Sequence, residues 1–257
     1  MRKCLASFFV GRFEAGLERH IDAFDIALPA SLTADASTFL DPIVRVNVGI
    51  RDFVADTISR GETPLVVCGD CLSAIGCLAG LETSNVKPQY LLWFDAHGDF
   101  HTSETTISGH LGGMPLAMIT GRGTQQILSS VGLTPFHDER VCHIGARDLE
   151  PSEAELFRES RIIKANCLSE VEIPPGSSVW IHFDTDYINP LDAPAMRYPA
   201  AGGPRADKVC REFDTLAHEF RIVGLSISAW APHLDTATKT GSTAQVCWQV
   251  VSSIASL

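Results

Sequence analysis

No apolar run in the sequence approaches the roughly 20 residues needed to cross a bilayer. Basic charge is scarce: 20 Lys and Arg stand against 31 Asp and Glu, a net charge of −11. Nucleic acids and anionic membrane surfaces are gripped through basic footprints, so neither is expected as a partner. No pair of CxxC motifs recurs at zinc-ribbon spacing, and Cys68-Gly69-Asp70-Cys71 stands alone. Linkers, internal repeats and low-complexity tracts are lacking too, so the chain reads as one domain over 1–257. Gly121-Arg122-Gly123 is a lone glycine pair, and Lys239-Thr240-Gly241-Ser242-Thr243 has no Gly-rich loop before it, which leaves no phosphate loop. The second segment reads as the cap of a last helix. Ser73 among scattered histidines makes no nucleophile elbow. A chain this large does not need disulfide staples, so its eight cysteines read as reduced thiols of a cytoplasmic protein. Residues 4–10 follow a short basic start but lack a cleavage site, and read as a buried first strand rather than a signal peptide.

What is present is a series of strand-length apolar runs, at 4–10, 65–68, 90–94, 140–144, 179–183 and 222–227. They are continuous rather than alternating, as strands buried on both faces require. Helices are expected between them over 72–81, 153–159, 207–220 and 243–254, with 32–42 and 189–204 left irregular. Strand, loop and helix in alternation predict a three-layer α/β/α fold with a mainly parallel sheet and right-handed crossovers.

In such sheets the working residues lie just beyond the carboxyl ends of the strands. After 90–94 come Asp95, His97, Asp99 and His101, on alternate positions and hence on one side of extended chain. After 179–183 come Asp184 and Asp186 in the same alternation. Either cluster alone fits a capping turn equally well. Both together, each ending an apolar strand, predict a cation site, because carboxylates gathered at a buried strand end are costly without one. Carboxylate and imidazole donors suit Mn²⁺, Fe²⁺, Co²⁺ or Zn²⁺. Two such clusters supply ligands for two divalent ions and a bridging hydroxide nucleophile.

Asp95-Ala96-His97-Gly98-Asp99 and Phe183-Asp184-Thr185-Asp186-Tyr187-Ile188-Asn189-Pro190 resemble the two metal motifs of the arginase/agmatinase (ureohydrolase) family. Val67-Cys68-Gly69-Asp70-Cys71-Leu72-Ser73 resembles that family's Gly-Gly-Asp-His-Ser segment. Ser108-Gly109-His110-Leu111-Gly112-Gly113-Met114-Pro115 resembles its Ser-Gly-Asn-Leu-His-Gly-x-Pro loop, and Ile144-Gly145-Ala146-Arg147-Asp148-Leu149-Glu150-Pro151 its Gly-x-Arg-Asp-x-Asp-Pro segment. The resemblance implies an arginase-like fold, a binuclear and usually manganese site, hydrolysis of guanidines or amidines, and a homotrimer or homohexamer. The implied metal ligands are Cys71, Asp95, His97, Asp99, Asp184 and Asp186, with Asp99 also bonded to the bridging hydroxide.

The departures from the family pattern matter as much. Cys71 stands where the family has a ligating histidine: either a small core residue with the metal lost, or a thiolate ligand at a helix start. A thiolate would soften the site toward Zn²⁺ or Fe²⁺. Gly112 stands where the family's proton-shuttling histidine falls, so His101, His110 and His182 become candidates for protonating the leaving amine. Ala229 stands where a glutamate grips the guanidinium, which leaves that task to Glu104 or another acid, or points to another substrate. Trp230 is either a core residue or a stacking platform for a planar cation. Glu150 is either helix N-terminal charge or the acid that recognises a substrate α-amino group, in which case Thr102, Thr106 and Ser108 offer hydroxyls to its carboxylate.

The expected function is therefore binuclear-metal hydrolysis of a linear C–N bond in a small amidino or guanidino compound, arginine-like or N-hydroxyarginine-like. Two other readings stay open: an amide or deacetylase-type metallohydrolase, and a catalytically silent homologue with a structural or regulatory role.

Overall fold

The structure, a computed structural model, describes residues 3–11, 18–27, 36–235 and 242–255. In chain order the elements are β1 (Lys3–Gly11), β2 (Glu18–Ala27), α1 (Ala36–Ser59), β3 (Leu65–Val67), α2 (Ser73–Thr83), β4 (Tyr90–Phe94), α3 (Pro115–Ile119), α4 (Gln126–Val131), β5 (Val141–Ile144), α5 (Pro151–Glu159), β6 (Ile163–Ala165), β7 (Ser178–Asp184), α6 (Ala206–Glu219), β8 (Arg221–Ser228) and α7 (Thr243–Ala255). Among the described residues no helix is long and apolar enough to cross a membrane. The chain forms two compact units, Met1–Lys87 with Asp99–Phe136, and Pro88–Gly98 with His137–Leu257.

The second unit holds five parallel strands in the order β8-β7-β4-β5-β6. β7 is buried along its whole length, and β4 everywhere but at Tyr90, which is why both runs read as continuous rather than alternating. An aromatic cluster fills one side. The ring of Phe94 lies 5.3 Å from Tyr187 and 5.2 Å from Phe213, and Phe183 lies 5.0 Å from Phe213. All four side chains are fully buried, and each contributes roughly 1.5–3 kcal/mol by leaving water. The Tyr187 hydroxyl stays satisfied by donating to Glu212 of α6 at 2.9 Å. Gly145, just past β5, has φ +100°, and a Cβ there would lie 2.4 Å from the Tyr187 ring. Only glycine serves at this turn, which lets the chain after β5 pass against the core.

The first unit opens with β1 antiparallel to both β2 and β3. Helix α1 follows, although 36–42 read as irregular; 32–35 lie outside the described residues. Pro42 removes one backbone donor inside α1. The helix persists because Leu40, Asn47, Ile50, Val54 and Thr57 fall at helical spacing and are all buried. Asn47 locks α1 to α2 by accepting from the Gly76 N–H at 2.7 Å while donating to the Ile43 carbonyl at 3.0 Å. The irregular reading of 189–204 agrees with the structure, where the segment holds only turns, bends and one bridge, Met196 to Trp230. The segment 239–241 before the last helix lies outside the described residues, and α7 begins at Thr243 as expected.

Candidate metal centre

In the second unit, Asp95 follows β4 and Asp184 closes β7, so two carboxylates stand at the carboxyl ends of adjacent parallel strands. Each carboxylate is oriented from both sides. Asp95 accepts from the His97 N–H at 2.7 Å and from the Trp93 indole at 3.2 Å. Asp184 accepts from the Asp186 N–H at 2.8 Å and from the Ser228 hydroxyl at 3.0 Å. Asp186 accepts from the Ala96 N–H at 3.0 Å, and its other oxygen lies 2.8 Å from His97 Nδ1. Each carboxylate oxygen carries two lone pairs, so these bonds fix the groups and leave capacity for a cation. Donor atoms of Asp95, His97 and Asp186 all lie within 4.8 Å of one another, which fits a shared divalent ion. Arg147 ties the loop after β7 in place, donating to the Asp186 carbonyl at 2.7 Å and to the Ala201 carbonyl at 3.0 Å.

The electrostatics also favour a cation. Burial and the neighbouring charge of Asp184 push the Asp95 carboxyl up. Burial and the charge of Asp95 push Asp186 up to about 6. Burial works to depress His97, but the hydrogen bonds and charges of Asp186 and Asp95 outweigh it and hold the imidazole protonated, up to about 12. That proton serves as the cluster's counter-charge when no metal is bound. His97 can ligate a metal only after losing it, so uptake of Mn²⁺ or Zn²⁺ between pH 7 and 8 is expected to release at least one proton. Affinity should then rise about tenfold per pH unit. Calorimetric titration in two buffers of different ionisation enthalpy reads the proton count; a count of zero would remove His97 from the ligand set.

In the first unit, Cys71 is buried in the turn that leads from β3 into α2, and its carbonyl accepts from the Ala74 N–H at 3.0 Å. Asp99 is buried with φ +50°, a conformation asparagine and aspartate tolerate better than most residues. Its carbonyl receives the N–H groups of Leu116 and Ala117 at 3.0 and 3.1 Å. The loop from His101 to Gly113 is knit by its own hydroxyls. His101 Nδ1 meets Thr105 Oγ1 at 3.1 Å, Thr106 Oγ1 accepts from the Gly109 N–H at 3.0 Å, and Ser108 Oγ accepts from the His110 N–H at 3.2 Å. Thr102 is buried beneath the loop, whereas Ser108 is exposed and Thr106 half-exposed. A hydroxyl that accepts a backbone bond still has its own proton to give.

Gly112 proves to be more than a missing histidine. A Cβ at residue 112 would lie 2.5 Å from His110 Nε2 and 2.7 Å from Asp70 Oδ2. The His110 ring thus folds over Gly112 into the space a side chain there would take, with the Asp70 carboxylate on its flank. Asp70 is held by its other oxygen, which accepts from the Leu72 N–H at 2.9 Å.

Glu150 is exposed at the N-cap of α5 and makes no side-chain capping bond. Glu104 is exposed, and bonds from Thr102 and Ser103 hold its carboxyl below the usual range. Ala229, at the end of β8, has φ +65°. Trp230 is half-buried and donates to Asp235 at 2.9 Å. His182 is wholly buried within β7, and burial lowers it to about 3. Trp93, Ser228 and Asp70 touch this chemistry without having stood out in the sequence. The signal for Ser228 was there: after Arg221, Ser226 and Ser228 are the polar residues of the strand, two apart.

A family model described as the arginase family matches residues 14–256. An arginase of Brevibacillus brevis is 32% identical over 69% of this chain and 65% of that protein's length. One from Bacillus caldovelox is 31% identical over 80% of this chain and 73% of that protein. The solved Bacillus caldovelox arginase superposes with a TM-score of 0.75 at 30% identity, covering 85% of this chain and 77% of that one. The chain belongs to the arginase family, a family of metal-dependent ureohydrolases, and has its three-layer α/β fold with a mainly parallel sheet. It spans about two thirds of the length of the Brevibacillus relative.

Proposed function

We propose that the protein hydrolyses a linear C–N bond of an amidino or guanidino compound, arginine-like or N-hydroxyarginine-like, using two divalent cations. The ligands are Cys71, Asp95, His97, Asp99, Asp184 and Asp186. The observation that carries this reading is the cluster of buried Asp95 and Asp186 with half-buried His97 in a chain of the arginase family. Bound cations supply the Lewis acidity that such a hydrolysis needs. The chain's own residues do the rest. Asp99 accepts a hydrogen bond from the attacking water. His110, over Gly112 and flanked by Asp70, gives a proton to the departing amine. Thr106 and Ser108 donate to a substrate carboxylate, Thr102 joins them by exchanging its bond to Glu104 for one to substrate, and Glu150 receives the α-amino group. Manganese is the family's usual ion, and the Cys71 thiolate shifts the preference toward zinc or iron.

One observation favours a second reading. Ala229 places no carboxylate at the end of β8, so a neutral amide substrate is accommodated without loss of a salt bridge. A single set of measurements separates the readings: metal analysis of protein purified without added metal, alongside Cys71→His, followed by assay of urea, hydroxyurea and acetate release over a small substrate panel. Urea or hydroxyurea supports the first reading and acetate the second. No metal and no turnover from a folded protein would overturn both and leave a silent homologue.

A further inference from the structure

β7 and β8 are paired so that His182 lies opposite Ser226, and Asp184 opposite Ser228. In parallel strands residues in register share a face, so these four side chains form one buried row. His182 Nδ1 lies 2.8 Å from Ser226 Oγ, and His182 Nε2 lies 3.2 Å from Ser228 Oγ. Ser228 Oγ lies 3.0 Å from Asp184 Oδ2, and the Trp180 indole donates to Ser226 Oγ at 3.2 Å. All four of His182, Ser226, Ser228 and Asp184 are 3% exposed or less.

The carboxylate end fixes the direction of each bond. Asp184 as a carboxylate only accepts, so the single Ser228 proton goes to it. Ser228 then has only lone pairs for His182, so His182 must carry its proton on Nε2. That leaves Nδ1 bare, to accept from Ser226. Among the described residues the Ser226 proton has one other acceptor, the Ile181 carbonyl, but at 3.5 Å rather than 2.8 Å. The opposite tautomer would draw the Ser228 proton away from Asp184, giving up a charge-assisted bond for a neutral one. The Trp93 ring, 3.9 Å from the imidazole, closes the remaining side.

We propose that His182 is a positioning residue: as a neutral imidazole protonated on Nε2, it holds Ser228 in the orientation that fixes the Asp184 carboxylate for metal binding. The inference rests on the reading of Asp184 as a metal ligand. It separates His182 from His101 and His110, since a ring with both nitrogens engaged and no path to solvent holds a geometry rather than moving a proton to substrate.

Two measurements test this. Long-range ¹H–¹⁵N correlation on histidine-labelled protein, with the His182 signals assigned by their loss in His182→Gln, is expected to show a protonated Nε2 and a bare Nδ1. A protonated Nδ1 would overturn the proposal whatever the metal does. Chelator competition with Mn²⁺ or Zn²⁺ is expected to show Ser228→Ala binding about 10- to 100-fold more weakly, the usual range for outer-sphere partners of a metal ligand. His182→Leu should weaken binding as well, and His182→Gln, whose amide offers a donor near the Nε2 position, should restore most of it. Unchanged affinity in a folded Ser228→Ala protein would also overturn the proposal. If the unaltered protein takes up neither metal, the ligand role of Asp184 fails, and the tautomer still decides the relay.

Discussion

Asp186→Asn is expected to abolish the stabilisation that added metal gives and to lower hydrolysis at least about a thousandfold. A ligand present at a hundred times its dissociation constant stabilises a folded protein by about 2.7 kcal/mol. For a chain of this size that corresponds to a rise of roughly 5–10 °C in melting temperature. Asparagine has the same shape and keeps an oxygen for the Ala96 N–H, so the fold around it survives. What disappears is one negative charge from a cluster whose burial and crowding hold Asp186 up at about 6. His97 loses its nearest carboxylate but retains Asp95 at 3.6 Å, and it is free to give up its proton instead of being stranded as a buried cation. Melting without metal should therefore shift by no more than about 1 kcal/mol. Differential scanning calorimetry with and without Mn²⁺ or Zn²⁺ checks this. A variant that still rises with metal as the unaltered protein does would exclude Asp186 from the site.

The second large effect is expected at His110. A general acid contributes about 10²- to 10⁴-fold to rate, and His110→Ala should lose that much in kcat with KM little changed. The residue is exposed in a loop, so its removal leaves the core intact. Gly112→Ala should reproduce part of the loss without touching His110 itself, because its Cβ at 2.5 Å from Nε2 forces the ring out of place. Added imidazole is expected to restore part of the activity of His110→Ala. Substrates with a less basic leaving group, such as an N-hydroxyguanidine, should suffer less from the exchange, since their departure needs less help from an acid. Equal rates for His110→Ala and the unaltered protein would move the proton donor elsewhere, with His101 next in line.

Much of the candidate site was legible because the chain writes it in two short strings. Asp95, His97 and Asp99 follow one buried strand, and Asp184 and Asp186 end another, so alternation along a strand already sets them on one side. The ends of those strands were readable to within a residue or so, since single polar residues such as His143, His182 and Ser226 do not break the apolar runs that hold them. Five elements escaped, among them β2, whose apolar residues are interleaved with charged ones and form no continuous run. Helix α1 was hidden by Pro42, a residue that penalises a helix locally but is outvoted by the buried stripe from Leu40 to Thr57. The short β6 and helices α3 and α4 are too brief for periodicity to distinguish them from loops.

By itself the sequence determined the fold class, the parallel strands and the residue types of the candidate metal site. These depend on hydrophobic pattern and on chemistry carried within one or two residues. Only the tertiary structure decided what each polar side chain does. Gly112 reads as a loss until the ring of His110 is found lying over it. His182 reads as one of three interchangeable histidines until strand pairing sets it between Ser226 and Ser228. Hydrogen bonds between strands join residues some forty-four positions apart, as at His182 and Ser226. Their direction is fixed by the register of the sheet, which no local pattern of residues can specify.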